Sequence, residues 1–319
     1  MKAGRQPMVH RRHFLGLAAA AASGLLAGCA GLFRRDPQPV CSNSPDVSLP
    51  TGPLTIDAHC HVFNGTDLQV QEFFSRVAVR QGGALGFGAK VLGSVLQQLA
   101  WTTAPSGSDE LSELRDLGAA LKVCSEKEHT TRVASLRQSA YANARQQLQS
   151  AALRSTEFQT LRDKRSLNAL SLDELDEETG ARFNALQLIE SLPEQADAYQ
   201  EAKATKSPST MALKGRSVQG LIDFVLQNFQ YRYVSVHDYL RMYNRKGTRV
   251  VDLMLPSMVD YDYWLAKGRQ TKTPLATQVE VMRQMAIVTG GRVHAFVPFD
   301  PLRQVAFDLG KSSTGSFSL

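Results

Sequence analysis

The sequence predicts an α/β fold, a parallel sheet interrupted after its first strand by a large helical insertion. Three observations carry that prediction. A short apolar run at 54–57 (Leu-Thr-Ile-Asp) leads straight into two histidines, a long span of helical character follows to about residue 245, and strands then alternate with helices. Such alternation argues for parallel strands joined by helical crossovers.

Composition admits this fold. The 319 residues are 43% apolar and 21% charged, enough to bury a sizeable core. The formal charge is +6, but Lys2, Arg5, Arg11 and Arg12 fall in residues 1–28, which contain no acid. The remainder is close to neutral, so no nucleic-acid footprint is expected.

The elements follow in chain order. Residues 1–29 open with adjacent Arg11 and Arg12, continue as an Ala- and Gly-rich apolar segment, and end on Leu26-Ala27-Gly28-Cys29. That segment is too short in strongly apolar residues for a membrane span. It resembles a twin-arginine export signal, and its end resembles a lipoprotein box. The resemblance implies lipidation of Cys29 and a chain exported, already folded, to the bacterial periplasm or cell envelope and held on the membrane. With Cys29 set aside, Cys41, Cys60 and Cys124 are odd in number and lack CxxC spacing, so no disulfide framework is expected. Cys60 and Cys124 read as packed thiols.

Residues 30–53 hold five prolines without periodicity, a linker. Residues 54–57 read as a short buried strand, and 54–66 as the first strand unit. From 67 to 245 Leu, Ala, Gln, Glu and Arg recur at helical spacing. Residues 133–166 read as one long helix or a pair, Ser171–Glu174 as a capping box, and 218–246 as an aromatic-rich helical stretch. His129 and His237 lie in these helices and are given no role. Strand character returns at 249–255, closed by Pro256. A helix then runs to a Gly290-Gly291 stop, and a further strand spans 293–299. Residues 246–319 thus hold the second and third units.

Side chains two apart on a strand share a face. His59 and His61 therefore project together, with Cys60 turned away into packing. Two imidazoles at a strand end can take adjacent positions on one divalent metal, and zinc suits them best. Parallel α/β sheets place their chemistry at such carboxyl ends.

The stretch Ile56-Asp57-Ala58-His59-Cys60-His61-Val62-Phe63-Asn64 resembles the first-strand motif of the amidohydrolase superfamily, in its amidohydrolase-related branch of hydrolases and decarboxylases. The blocks at 252–264 and 293–304 are similar to the second and third barrel strands of that branch. The resemblance implies a (β/α)8 TIM-type barrel, a small organic substrate, and zinc or another divalent metal activating a water. Only His59 and His61 carry over as ligands; the fifth-strand histidine and eighth-strand aspartate of the family find no match. Residues 54–66 and 246–319 suffice for about three of the eight units. The chain is therefore expected to be the N-terminal part of such an enzyme (a fragment, a prematurely stopped gene or a protein needing a complementing half), a partial barrel whose open edge invites aggregation or pairing with another chain or copy.

Asp260 and Asp262 follow the second strand and Asp300 the third, which puts all three on the catalytic rim. They read either as substrate contacts and supports of the metal ligands or as caps of the following helices. Proline after Asp300 fits capping. His294, early in its strand, reads as a packing residue. Two further functions stay open: a carboxy-lyase of the same fold, and a non-catalytic envelope lipoprotein whose helical region binds a partner.

Overall fold

The computed structural model describes residues 53–73, 76, 97–122, 126–166, 177–205, 213–243 and 251–319. Arg11, Arg12, Cys29, the 30–52 part of the linker, Cys124 and the Ser171–Glu174 box lie outside the described residues.

Strand β1 (Ile56–Cys60) pairs in parallel with β2 (Leu253–Pro256). Ile56 stands opposite Leu253 and Asp57 opposite Met254, and the register shifts before Cys60 meets Pro256. A third segment runs parallel along the other edge of β2 through bridges from Met254 to Val293 and from Ser257 to Phe296. There the amides of His294 and Phe296 donate to the carbonyls of Met254 and Pro256 at 2.9 and 2.8 Å. The order is thus β1, β2, 293–296, all parallel.

Three expectations about the strands need correction. The first strand begins at Ile56, not 54, and is not buried: Leu54 and Ile56 are 41% and 47% exposed. Among the described residues β1 has a neighbour on one side only, so its apolar residues stand at an edge. The second strand begins at Leu253 and includes Pro256. Before it, the Thr55 carbonyl still accepts the Asp252 amide at 2.8 Å, while the Thr55 amide donates to the Asp252 side chain at 2.6 Å. The third is two bridges and not a full strand, because Pro298 lacks the amide that would bond next to β2.

Every other described element is helical. After a 3₁₀ turn at Gly65–Asp67 come α1 (Val70–Phe73), a turn of helix at 97–103, α2 (Gly107–Lys122) and α3 (Glu126–Arg154). Next are α4 (Thr156–Ser166), α5 (Glu177–Glu190), α6 (Ala196–Thr205), α7 (Leu213–Asn228) and α8 (Arg232–Tyr243). The 133–166 stretch is therefore a pair of helices, broken at Ser155. Helix α9 (Leu275–Val288) crosses from β2 to the third segment. It ends where Gly290 and Gly291 adopt φ of 61° and 79°, and the Gly291 amide donates to the Ala286 carbonyl at 2.8 Å. Helix α10 (Pro301–Asp308) follows, and a 3₁₀ turn at Ser316–Ser318 closes the order.

Two apolar cores result. One lies within the insertion, around Tyr141, Leu148, Leu161, Leu186 and Leu226. The other joins the insertion to the sheet: Leu117 of α2, Val133 of α3 and Val234 of α8 pack with Met254 of β2, Met285 of α9 and Val293. Leu117, Met285 and Val293 are wholly buried. Truncating such side chains to alanine costs about 2–5 kcal/mol, so the sheet depends on helices supplied by the insertion.

Candidate metal centre and the clusters around it

His59 lies within β1 and His61 just beyond it, both exposed. Their rings meet edge to face with centroids 5.6 Å apart. Nδ1 of His61 sits 2.7 Å from the Ser257 carbonyl oxygen at the end of β2. When that nitrogen carries the proton, Nε2 keeps a free lone pair, the usual arrangement of a histidine ready for metal. Phe63 stacks on the His61 ring with centroids 5.3 Å apart, and its centroid lies 5.8 Å from that of Tyr261.

Asp57 is tied to the backbone of β1 and to α8. Its carboxylate accepts the His59 amide at 3.2 Å and the Tyr239 hydroxyl of α8 at 2.5 Å. Cys60, half-buried against the sheet core, has its thiol pushed up to about 12, by burial first and then by the charge and hydrogen bond of Asp57. It is an inert packed thiol. Among the described residues no group of three histidines, cysteines and carboxylates is placed to hold a metal.

The three rim aspartates have defined partners. Arg303 of α10 forks onto Asp260, with one guanidinium nitrogen 2.9 Å from Oδ1, and reaches Asp262 at 2.5 Å. All three side chains are 3% exposed. Burial raises the Asp262 carboxyl above its ordinary value, against the hydrogen bond from Arg303. Asp262 also accepts the Thr271 amide, and Asp260 the Asp262 amide. Neither therefore caps a following helix; both anchor α10 to the β2 loop. Asp300 caps α10 through the Leu302 amide at 2.8 Å, while its Oδ2 is buried without a hydrogen-bond partner among the described residues. His294 is exposed, which corrects the expected packing role: its backbone, not its ring, ties it to β2.

Two clusters escaped sequence reasoning. In the first, Arg232 at the start of α8 pairs with Asp67 at 2.7 Å and Glu110 at 3.1 Å, all three at most 2% exposed. Glu110 also accepts the Arg232 amide at 2.8 Å, and Asp67 accepts the Asn64 amide at 3.0 Å. Two acids share one cation. Burial consequently pushes Glu110 up to about 7 and raises Asp67 as well, with the Arg232 charge opposing both. The asparagine and aspartate spaced just after the histidines were the only available signal. In the second cluster, His129 of α3 accepts or donates a 2.7 Å bond to the Tyr233 hydroxyl, and its ring lies 5.7 Å from that of His237. Burial, then the neighbouring His237, lowers His129 to about 4. A separation of 104 residues hides this bond from the sequence.

Compared with known proteins, the chain matches no family model, no curated protein and no solved structure.

Proposed function

We propose that the chain is a metal-dependent hydrolase of the amidohydrolase-related kind, in which His59 and His61 hold a divalent metal, zinc by preference. One observation carries the reading: two exposed imidazoles meet at the carboxyl end of the first of three parallel segments, with His61 oriented by the Ser257 carbonyl. When bound, zinc supplies a Lewis acid and a water acidic enough to react at neutral pH. The chain's own residues do the positioning. Ser257 fixes the His61 tautomer, and Asp57 pins the backbone at His59 while Tyr239 ties that carboxylate to α8. Asp260 and Asp262, locked by Arg303, keep the β2 loop at the rim. The order β1, β2, 293–296 is read as the first three strands of a TIM-type barrel.

Two imidazoles supply two of the three protein donors that catalytic zinc generally takes. The pair alone is therefore expected to bind zinc weakly. Calorimetric zinc titration of the full chain, beside His59→Ala/His61→Ala, tests the ligands, and zinc-dependent cleavage of simple ester and amide substrates tests the activity. Heat of binding unchanged in the double variant would end the metal reading. Release of carbon dioxide from aromatic or enoic acids, without hydrolysis, would favour the carboxy-lyase.

The separate core of the helical insertion favours a second reading, an envelope lipoprotein whose helices bind a partner. In either case we infer attachment to the membrane through Cys29 behind Arg11-Arg12. Cys29→Ser should leave the membrane fraction or stay unprocessed; fractionation identical to wild type would refute the anchor.

A further inference from the structure

The end of the described chain turns its apolar side outward. Arg303 is the buried residue of α10, whereas Leu302, Val305 and Leu309, three and four positions apart on one face, are exposed. Phe299 and Phe317 touch at 5.1 Å, and the Phe317 amide donates to Gln304 of the same helix, so helix, strand end and final turn form one surface. With Phe296, these side chains are 53–81% exposed. At roughly 150–250 Å² for a whole aromatic side chain, and less for leucine and valine, the patch presents on the order of 600 Å² of apolar surface. That reaches the top of the range for the largest patch on a monomer, about 300–600 Å² and often functional, and is a large part of the ~800 Å² each partner gives to a stable interface.

Beside it runs an unpaired backbone edge. Residues 292, 294 and 296 bond to β2, so Ala295 and Val297 face the other way, and their amides have no partner among the described residues. Pro298 falls on the β2 side, so its missing amide leaves the outer edge intact. A lipid surface would bury these peptide groups unpaired, at high cost. Another strand would satisfy them. Between 296 and 317 the exposed charges are one of each sign, Asp308 and Lys311, so nothing repels an identical surface.

We propose that this face is a homodimer interface, with the 295–297 edges of two copies pairing antiparallel across a two-fold axis and the two α10 faces packing beside them. Two-fold symmetry makes one patch complementary to itself and closes the assembly at two. The interface does not involve the histidine pair; it occupies the open sheet edge on which the barrel reading would place a further strand.

The test is analytical ultracentrifugation of the full chain over a range of concentrations, with backbone amide exchange read by mass spectrometry. Wild type should pass reversibly from monomer to dimer, and exchange at 295–297 should slow in the dimer. Leu302→Glu/Val305→Glu, at positions already exposed, should stay monomeric with an unchanged circular dichroism spectrum. Ile287→Glu, an exposed apolar site on α9, should dimerise as wild type does, and so should His59→Ala/His61→Ala. A wild-type monomer at all concentrations, growth into open-ended oligomers, dimers that survive the double glutamate, or association only with lipid vesicles would each overturn the proposal.

Discussion

Nδ1 of His61 lies 2.7 Å from the carbonyl oxygen of Ser257, so the end of β2 holds the ring that leaves β1. Strand pairing, and not local sequence, orients this imidazole.

The first prediction concerns that arrangement. Zinc at tenfold its dissociation constant should stabilise the protein by only about 1.4 kcal/mol. A small rise in melting temperature with zinc, absent in His59→Ala/His61→Ala, is the expected outcome of thermal scans.

Arg303 joins α10 to the loop after β2 through two buried carboxylates. Arg303→Ala leaves Asp260 and Asp262 buried without their cation and should cost about 3–5 kcal/mol. Asp260→Asn alone should cost less, because Asp262 keeps the guanidinium partly paired. Urea midpoints of the two variants give the comparison.

Glu110 titrates near 7 in the fold against an ordinary value near 4.5. The folded state therefore holds a proton that the unfolded state releases. Its stabilising contribution is complete below about pH 4.5 and fades as pH rises to 7. Glu110→Gln should flatten this fall, measured as unfolding midpoint against pH, while Glu113→Gln, more exposed, should not.

His129 shifts the other way, from 6.5 to about 4. The unfolded chain takes up a proton that the fold refuses, so stability is complete above 6.5 and declines as pH drops to 4. Tyr233→Phe removes the ring's hydrogen bond and should cost about 1–3 kcal/mol. Nuclear magnetic resonance should show His129 neutral at pH 5.5.

Several features of the fold are legible in the sequence. The helical character of the described insertion, the Gly290-Gly291 stop and the parallel sense of the strands follow from periodicity and turn chemistry, which act over a few residues. The exposure of β1 was not legible, because an apolar run does not say how many neighbours its strand will have. Nor could Asp260 and Asp262 be assigned: carboxylates after a strand look alike whether they cap a helix or hold an arginine 41 or 43 residues away. The Asp67–Glu110–Arg232 cluster needed three elements brought together from far apart.

The pairing of β1 with β2 has a consequence for synthesis. Thr55 meets Asp252 across 197 residues, and at about 5–20 residues per second the ribosome needs roughly 10–40 s to make the partner. During that interval the nascent segment 54–61, with Leu54, Ile56 and both histidines, has no strand beside it. The insertion, whose contacts are nearer in sequence, has time to assemble first and then receives β2 on helices already in place. Substitutions in its core should therefore slow the closing of the sheet, although they touch neither strand.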